Sequence, residues 1–380
     1  AGSASGGLWK STTGGSGENA WEYIRTGHQV LGVSAIEIDP IDPNIMFIGT
    51  GEAYGSSENF PGIGPQRTTR GSYGIGILKS TDGGLSWTKS LDWSLNQKRS
   101  VQKIHINPHR SESIWAATTD GMYQSLDGGG TWRNIHSIPM ATDIAIHPID
   151  TNIVMVTHGG MGSEGHGIYR TTDGGKNFTK ANLVTGGGPA EYRGKAVLSM
   201  SLEKPDIVYA SIGNSDGNLN YEDEDIRTWV MKTEDFGTTW NLVFTDTEIL
   251  ARVQGWYAHA IAVHPRDENI VWAAGQPFSL FKSTSGGSNF EAVSLVNVAG
   301  TTDDRENDVY PYLSDWADYH DIIYHPTMHD TVYFINDGGI FKTTDGGLTI
   351  ENCNSGYQTV QFYNGVSNSN TNQNLFLGGL

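Results

Sequence analysis

The sequence GILKSTDGGLSW, from Gly76 to Trp87, recurs along the chain and decides its fold. Close copies are GMYQSLDGGGTW (Gly121–Trp132) and GIYRTTDGGKNF (Gly167–Phe178). Looser copies begin at Val230, Leu280 and Gly339, and a degenerate first copy begins at Gly7. Self-similarity at a period of several tens of residues is the signature of a repeat architecture.

The close copies combine an apolar strand, a Ser/Thr-x-Asp-Gly turn and an aromatic residue that opens another strand. The Ser or Thr lies at positions 11, 80, 125, 171, 233, 283 and 343. Before each turn comes a pair of apolar strands around a turn, as in VSAIEIDPIDPNIMFIGT from Val33. Four antiparallel strands per repeat make one propeller blade. The sequence therefore predicts an all-β protein, a seven-bladed β-propeller with four-stranded antiparallel blades, as a single domain over residues 1–380.

The two ends of the chain are expected to close the ring by sharing the last blade. QFYNGVSNSNTNQNLFLGG, from Gln361, has the pattern of its first two strands, and GLWKST, from Gly7, begins its third. Residues 1–5 and 374–378 both resemble the second strand of a blade. Because of this overlap, we expect the chain to be a portion of a longer secreted protein.

The repeated carboxylates are expected to be structural. Asp82, Asp127, Asp173 and Asp345 occupy the same place in their turns. An aspartate there can accept backbone N–H groups of its own turn, and the glycines that follow can adopt positive φ. We therefore do not interpret these residues as catalytic acids.

Composition excludes several function classes. The formal net charge of −18 argues against nucleic acid and anionic membranes as partners, because binding to phosphates needs a basic face. The one cysteine, Cys353, cannot form an intramolecular disulfide. No apolar run reaches the roughly 20 residues of a membrane span.

At these repeats the chain resembles the Asp-box, or bacterial neuraminidase repeat (BNR), superfamily. Within it, the chain is similar to bacterial sortilin/Vps10-like "glycosyl hydrolase" repeat proteins. The matching stretches are IDPIDPNIMFIGTGE from Ile38, QGWYAHAIAVHP from Gln254 and DYHDIIYHP from Asp318. The resemblance implies a bacterial protein that is extracellular or on the cell surface, often with a C-terminal sorting domain.

Better-defined relatives differ from this chain. Sialidases carry an Arg-Ile-Pro motif, which is absent here. Xyloglucanase-like proteins have two tandem propellers with catalytic aspartates in the cleft between them, and a single ring offers only half of such a cleft.

The candidate site lies on the face that gathers the long insertions. Turns between strands one and two and between strands three and four of a blade share one face, whereas the insertions emerge on the other. Loops on a rigid scaffold are where binding usually occurs. Aromatic, polar and charged side chains near the inner strands should converge at the mouth of the central channel. The ligand-binding candidates are Glu52, Arg193, Trp256, Tyr257, His259, Asp318, Tyr319 and His320. For His259 and His320, the alternative is that they satisfy buried backbone groups.

A weaker metal candidate is the oxygen-rich run that contains Asp216, Asn218, Asn220 and Glu222. Alternating oxygen donors suit Ca²⁺, which prefers several oxygen ligands. The run lacks the central Gly and the closing Glu of an EF-hand loop, so a solvated acidic loop is the alternative. We expect no cofactor to be required.

Two functions remain open from the sequence. The first is a binding or assembly module whose ligand is a glycan or a protein at the extracellular surface. The alternative is a glycoside hydrolase that uses a carboxylate pair at the channel mouth. We expect the first, because the sequence shows no complete catalytic constellation.

Overall fold

The computed structural model consists of short antiparallel β-strands arranged around a central channel. It describes residues 1–29, 32–54, 74–160, 163–215, 226–246, 254–275, 279–293, 318–359, 366–368 and 376–378. Among the elements bounded within these described ranges, one is helical, the short 3-10 turn Val184–Gly186. No helix of the described residues is long and apolar enough to cross a membrane.

The strands follow the repeats of the sequence closely. The first half comprises β1 (Gly2–Ser3), β2 (Gly7–Lys10), β3 (Glu22–Ile24), β4 (Val33–Ile38), β5 (Met46–Thr50), β6 (Gly76–Ser80), β7 (Thr88–Asp92), β8 (Val101–Asn107), β9 (Arg110–Thr118), β10 (Gly121–Ser125), β11 (Arg133–His136), β12 (Ala141–Ile146), β13 (Val154–His158), β14 (Gly167–Thr171) and β15 (Thr179–Lys180). The second half comprises β16 (Ala196–Met200), β17 (Val208–Gly213), β18 (Thr228–Thr233), β19 (Asn241–Asp246), β20 (His259–His264), β21 (Asp267–Gly275), β22 (Ser279–Ser283), β23 (Glu291–Ala292), β24 (Tyr319–Tyr324), β25 (Val332–Asn336), β26 (Gly339–Thr343), β27 (Glu351–Asn352), β28 (Val366–Asn368) and β29 (Phe376–Gly378).

These strands form a seven-bladed β-propeller, as the repeat predicts. Six blades are four-stranded antiparallel sheets in chain order: blade 1 is β4–β7, blade 2 is β8–β11, blade 3 is β12–β15, blade 4 is β16–β19, blade 5 is β20–β23 and blade 6 is β24–β27. The seventh position is filled by the sheet β1–β3, which we call the closing sheet. The first strand of each blade, its inner strand, lies nearest the channel.

Ring closure differs in one detail from the expected sharing of the last blade. The short strand β1 pairs with β2, at Gly2 opposite Leu8 and Ser3 opposite Gly7. Strands β28 and β29 pair with each other and, among the described residues, with no other strand. Of the two segments that resemble a second strand, the N-terminal one therefore pairs with β2, to which a short connection already joins it.

The closing sheet fills the gap between blades 6 and 1. On one side Leu8 packs with Val33, Ile48 and Trp87 of blade 1. On the other side, which we call the seam, hydrogen bonds join the closing sheet to the blade 6 end of the chain. They run from Trp21 Nε1 to the Cys353 carbonyl (2.6 Å), from Ala20 N–H to the Ser355 carbonyl (2.9 Å), from Lys342 Nζ to Ser16 Oγ (2.7 Å) and from the Tyr357 hydroxyl to the Gly2 carbonyl (3.0 Å). Cys353 is fully buried there.

The hydrophobic core lies between the blades. The second strands are buried over most of their length, because each blade has its two faces covered by its two neighbours. Trp115 in blade 2 and Trp272 in blade 5 are each 1% exposed. Burial of one such side chain contributes roughly 1.5–3 kcal/mol. The apolar runs of the sequence are therefore explained by packing on two faces.

The repeated turns are held together by their own side chains. In blade 2, Ser125 Oγ accepts the N–H of Gly129 at 2.8 Å and donates to Asp127 Oδ1 at 2.8 Å. Asp127 also accepts the N–H of Thr131 at 2.8 Å and its hydroxyl at 2.7 Å. These hydrogen bonds lower the pKa of Asp127 to about 2, with the backbone bond from Thr131 as the largest cause.

The same geometry recurs around the ring. Asp82, Asp173, Asp235 and Asp345 accept corresponding bonds. All seven opening Ser or Thr residues, including Ser11 in the degenerate copy, accept the N–H four residues later. Ser285 stands in the place of the aspartate in blade 5. The hydroxyl is thus the constant feature of the turn.

Histidines hold several turns on that same face. His147, His264 and His325 each accept two backbone N–H groups on Nδ1, from residues two and three positions later. In blade 2 the corresponding acceptor is Asn107, which takes the N–H of His109. His105 instead lies 3.1 Å from Glu37 Oε1.

Side chains connect neighbouring inner strands. An inner strand has one edge toward the channel, and its N–H groups there lack a strand partner. Glu37 accepts the N–H of Ile106 at 3.0 Å, and Asp143 accepts that of Leu198 at 2.8 Å. These bonds link blade 1 to blade 2 and blade 3 to blade 4.

Candidate functional site

The blade 5 side of the channel mouth is formed by the segment that leads into β20. Gly194, Gly213 and Gly255 meet there, and an added Cβ on Gly213 would lie 2.4 Å from the Gly255 Cα. The Lys195 N–H donates to the Gly255 carbonyl at 2.9 Å. Only glycines allow backbones to approach this closely. This junction fixes the position of Trp256, the next residue.

Three aromatic rings cover the channel mouth. Trp256 and Tyr257 stack with ring centroids 5.2 Å apart and planes at 30°. Tyr54, which follows β5 in blade 1, contacts Trp256 edge-on at 5.2 Å and Tyr257 at 4.9 Å. Blades 1 and 5 lie on opposite sides of the ring. Tyr54 therefore reaches across the channel axis, and the three rings, which we call the aromatic cluster, close its mouth.

Two carboxylates flank the aromatic cluster. Asp337 Oδ1 accepts the Tyr257 hydroxyl at 2.9 Å and lies 2.6 Å from His320 Nε2. Glu52 Oε1 accepts the Tyr54 hydroxyl from the other side. The His320 ring contacts that of Tyr257 with centroids 4.9 Å apart. Charge-assisted bonds of this kind fix the positions of the carboxyl groups.

The structure brings together four of the eight ligand-binding candidates, Glu52, Trp256, Tyr257 and His320. His259 is fully buried and bonds to Ser211 Oγ at 3.0 Å and to the Gly255 carbonyl at 3.2 Å. Burial is the main cause that lowers the pKa of His259 to about 3, so its ring is neutral. The ring of His259 therefore satisfies buried groups, as in the alternative that the sequence leaves open for this residue.

The other candidates lie around the cluster. Tyr319 is 1% exposed and packs in the core between blades 5 and 6. Asp318 is half-buried and has a left-handed backbone, with φ of 68°, where the chain enters β24. Arg193 is exposed, and its N–H donates to Asn214 Oδ1 at 2.9 Å.

Asp337 was missed in the sequence. It lies in the short turn Asn336–Gly339 between β25 and β26. Such a connection between strands two and three emerges on the same face as the long insertions, so its topology gives a signal. The turn has no insertion, so its sequence lacks the long-loop pattern that marks the other candidates.

The calcium candidates Asp216, Asn218, Asn220 and Glu222 lie outside the described residues. Within the described ranges, no group of three or more His, Cys, Asp or Glu side chains is arranged to hold a metal ion.

Charged side chains cross the channel beneath the mouth. Lys103 Nζ in blade 2 lies 3.9 Å from Asp321 Oδ2 in blade 6, and both side chains are about two-fifths exposed. Asp321, followed by Asp143 and Glu37, raises the pKa of Lys103. Burial lowers the pKa of the neighbouring Lys195 to about 8. The channel is therefore crossed by an aromatic layer at its mouth and by a charged layer below.

Comparisons with known proteins place the chain near glycan-acting enzymes. No protein-family model matches the sequence. It is 26% identical over 159 residues to an oligoxyloglucan-reducing end-specific xyloglucanase of Emericella nidulans, covering 39% of this chain and 18% of that protein. It is 24% identical over 176 residues to the xyloglucanase Xgh74A of Acetivibrio thermocellus, covering 39% and 19%. The matches thus span less than a fifth of these relatives.

Solved structures share the fold. The GH74 enzyme of Niastella koreensis has a TM-score of 0.56 at 18% identity, over 84% of this chain and 46% of that one. An ancestral GH74 enzyme has a TM-score of 0.61 at 16% identity, over 99% and 46%. YCF48 bound to D1 peptide has a TM-score of 0.54 at 16% identity, over 92% and 91%. This chain therefore spans less than half the length of the GH74 chains.

Proposed function

We propose that this propeller is part of an extracellular glycoside hydrolase of the xyloglucanase type and binds its polysaccharide across the channel mouth. The observation that carries the proposal is the aromatic cluster of Tyr54, Trp256 and Tyr257 with Glu52 and Asp337 on either side. Aromatic surface with a few convergent polar groups is the usual composition of a ligand site.

Hydrolysis of a glycosidic bond requires two carboxyl groups with different roles. Asp337 accepts one hydrogen bond from the Tyr257 hydroxyl and is paired with His320, an arrangement that stabilises negative charge on its carboxylate. We assign it the role of base or nucleophile. Glu52 lies across the aromatic cluster and is assigned the role of proton donor to the leaving oxygen.

The xyloglucanases among the relatives support this function over a purely binding role. A polysaccharide too large to cross a membrane would also require an extracellular enzyme. Because the matches span only part of those relatives, the substrate remains a proposal for this chain.

The test is release of reducing ends from xyloglucan and from other polysaccharides by the purified chain. Asp337→Asn and Glu52→Gln should each lower kcat by about a hundredfold or more, because general acid–base catalysis contributes factors of this size. Both variants should still bind the polysaccharide in affinity electrophoresis. Trp256→Ala should weaken that binding instead, while Leu85→Ala, an exposed residue on the opposite face, should change neither.

The outcome separates the two hypotheses left open by the sequence. Binding of glycan or protein without release of reducing ends would reject catalysis by this propeller's own carboxylates and leave it a binding or assembly role. Full activity in Asp337→Asn would reject the role of base or nucleophile assigned to Asp337, even if the wild type is an enzyme.

A further inference from the structure

Four inner strands carry a β-bulge at the same place, directly after their first residue. The register shifts lie between Val33 and Ala35, Val101 and Lys103, Ala141 and Asp143, and Tyr319 and Asp321. A bulge inserts one extra residue and redirects side chains locally. In blades 2 and 6 the bulges connect the charged layer of the channel to the carboxylates at its mouth.

In blade 2 the extra residue is Gln102. Its Nε2 donates to the Ala53 carbonyl at 2.7 Å. Ala53 stands between Glu52 and Tyr54, and the neighbouring Ser100 Oγ donates to the Gly51 carbonyl at 3.0 Å. The start of β8 thereby holds the segment that carries the Glu52 carboxylate.

In blade 6 the extra residue is His320. Its Nε2 lies 2.6 Å from Asp337 Oδ1, so this bulge holds the second carboxylate. In blades 2 and 6 the residue after the bulge enters the channel instead. Lys103 and Asp321 occupy these equivalent places and meet at 3.9 Å.

The ion pair therefore joins two bulges that lie on opposite sides of the ring. Blades 2 and 6 share no strand pairing, and the closing sheet and blade 1 lie between them. Glu37 and Asp143 add their negative charge around Lys103. Lys103 is thus attracted by three carboxylates from three other blades.

We propose that the Lys103–Asp321 pair is a tie across the channel that sets the separation between the Glu52 and Asp337 carboxyl groups. Lys103 and Asp321 are positioning residues, since they act through Gln102 and His320 and lie below the mouth. The effect on catalysis rests on the proposed function, whereas the effect on the separation does not.

The separation matters because it decides the chemistry. Carboxyl groups about 5–5.5 Å apart suit a covalent intermediate, and groups about 6.5–9.5 Å apart leave room for a water. A displacement of about 1 Å can lower a rate by roughly a hundredfold.

The experiment compares crystal structures and kinetics of the full chain with Lys103→Met, Asp321→Asn and the double variant. We expect the Glu52–Asp337 separation to change by about 1 Å in each, with kcat lowered roughly tenfold or more and KM changed less. The double variant should resemble the single variants, because residues that act as a pair are non-additive. Lys103→Arg keeps the positive charge and should therefore retain both the wild-type separation and the wild-type kcat.

The matched control is Lys79→Met. Lys79 also joins two blades, since its Nζ donates to the Gly128 carbonyl at 2.7 Å, but it does so at the turn face. The control should leave the separation unchanged. If Lys103→Met fails to fold, Asp321→Asn still tests the tie, because in that variant Glu37 and Asp143 still balance the charge of Lys103.

An unchanged separation in the folded variants would overturn the tie, whatever the activity. A changed separation in a protein that releases no reducing ends would support the tie and reject catalysis by Glu52 and Asp337 in this propeller.

Discussion

At the scale of single residues, the Ser or Thr hydroxyl that opens each repeated turn is more constant than the aspartate two positions later. Ser125 is 1% exposed and accepts a buried N–H from Gly129, whereas Asp127 bonds to exposed groups of Thr131. Ser285 replaces the aspartate in blade 5, and Ser283 still accepts the N–H of Gly287 at 3.0 Å. The turn therefore depends more on the hydroxyl than on the carboxylate.

This difference predicts the outcome of Ser125→Ala. The variant leaves the Gly129 N–H without its acceptor, and an unsatisfied buried donor costs about 1–3 kcal/mol. The free energy of unfolding, measured with urea, should fall by that amount. Asp127→Ala should also lower stability, and both variants should keep any glycan binding, because the turns lie opposite the channel mouth. Loss of binding in a variant with unchanged stability would contradict this assignment.

Residue types and spacing in the sequence were sufficient to predict the turns, because each turn is local. The contact between Tyr54 and Trp256 had no such signal. The two residues lie in blades 1 and 5, and only closure of the ring brings their rings to 5.2 Å. Asp337 contacts His320 of its own blade and Tyr257 of the neighbouring blade 5, and the sequence of its short turn signals neither contact.

At the scale of elements, the junction of blades 2 and 3 contains a pair of histidines, of which His158 is fully buried and His136 partly buried. His136 Nδ1 lies 3.0 Å from His158 Nε2, and His136 stacks on Phe178 with centroids 4.3 Å apart. Burial, followed by the neighbouring His136, lowers the pKa of His158 from 6.5 to about 3. The folded state therefore keeps His158 neutral at pH values where the unfolded chain takes up a proton.

The junction should consequently weaken in acid. The stabilising contribution is fully present above pH 6.5 and is lost as the pH falls toward 3, since only the unfolded state binds the proton in that window. Between pH 7 and pH 5 the wild type should lose about 2 kcal/mol more than His158→Gln. Urea unfolding at several pH values measures this, with the exposed His109→Gln as control. Parallel stability curves for wild type and His158→Gln would rule the effect out.

The strand order within the blades could also be predicted from the sequence, since each blade is a chain of neighbouring antiparallel strands. The bulges at Gln102 and His320 could not. A bulge is set by pairing across two strands, and VQKIHIN and YHDIIY show no residue type that requires one.

At the scale of the whole molecule, the ring depends on its seam. Trp21 contributes a 2.6 Å bond to the Cys353 carbonyl and packs against Tyr357 with centroids 5.3 Å apart. Because β28 and β29 pair with no other described strand, side chains carry much of this closure.

Trp21→Ala should therefore destabilise the entire ring. Loss of a partly buried tryptophan costs about 2–4 kcal/mol. We therefore expect a lower melting temperature when unfolding is followed by the β-strand signal in circular dichroism. Leu85→Ala, which removes a side chain that is 83% exposed, serves as the control. A seam variant that melts like the wild type would mean that closure does not limit stability.

The seam also contains the chain's one thiol, so the labelling rate of that thiol can measure how often the seam opens. Burial raises the pKa of Cys353 to about 11, so at neutral pH almost none of it is in the reactive thiolate form. An alkylating reagent can modify it only during moments when the closing sheet detaches. The labelling half-time thus reports how often the ring opens, without any engineered probe. Comparison of that half-time with the time for global denaturation would tell whether the circle breaks at one joint first or comes apart all at once.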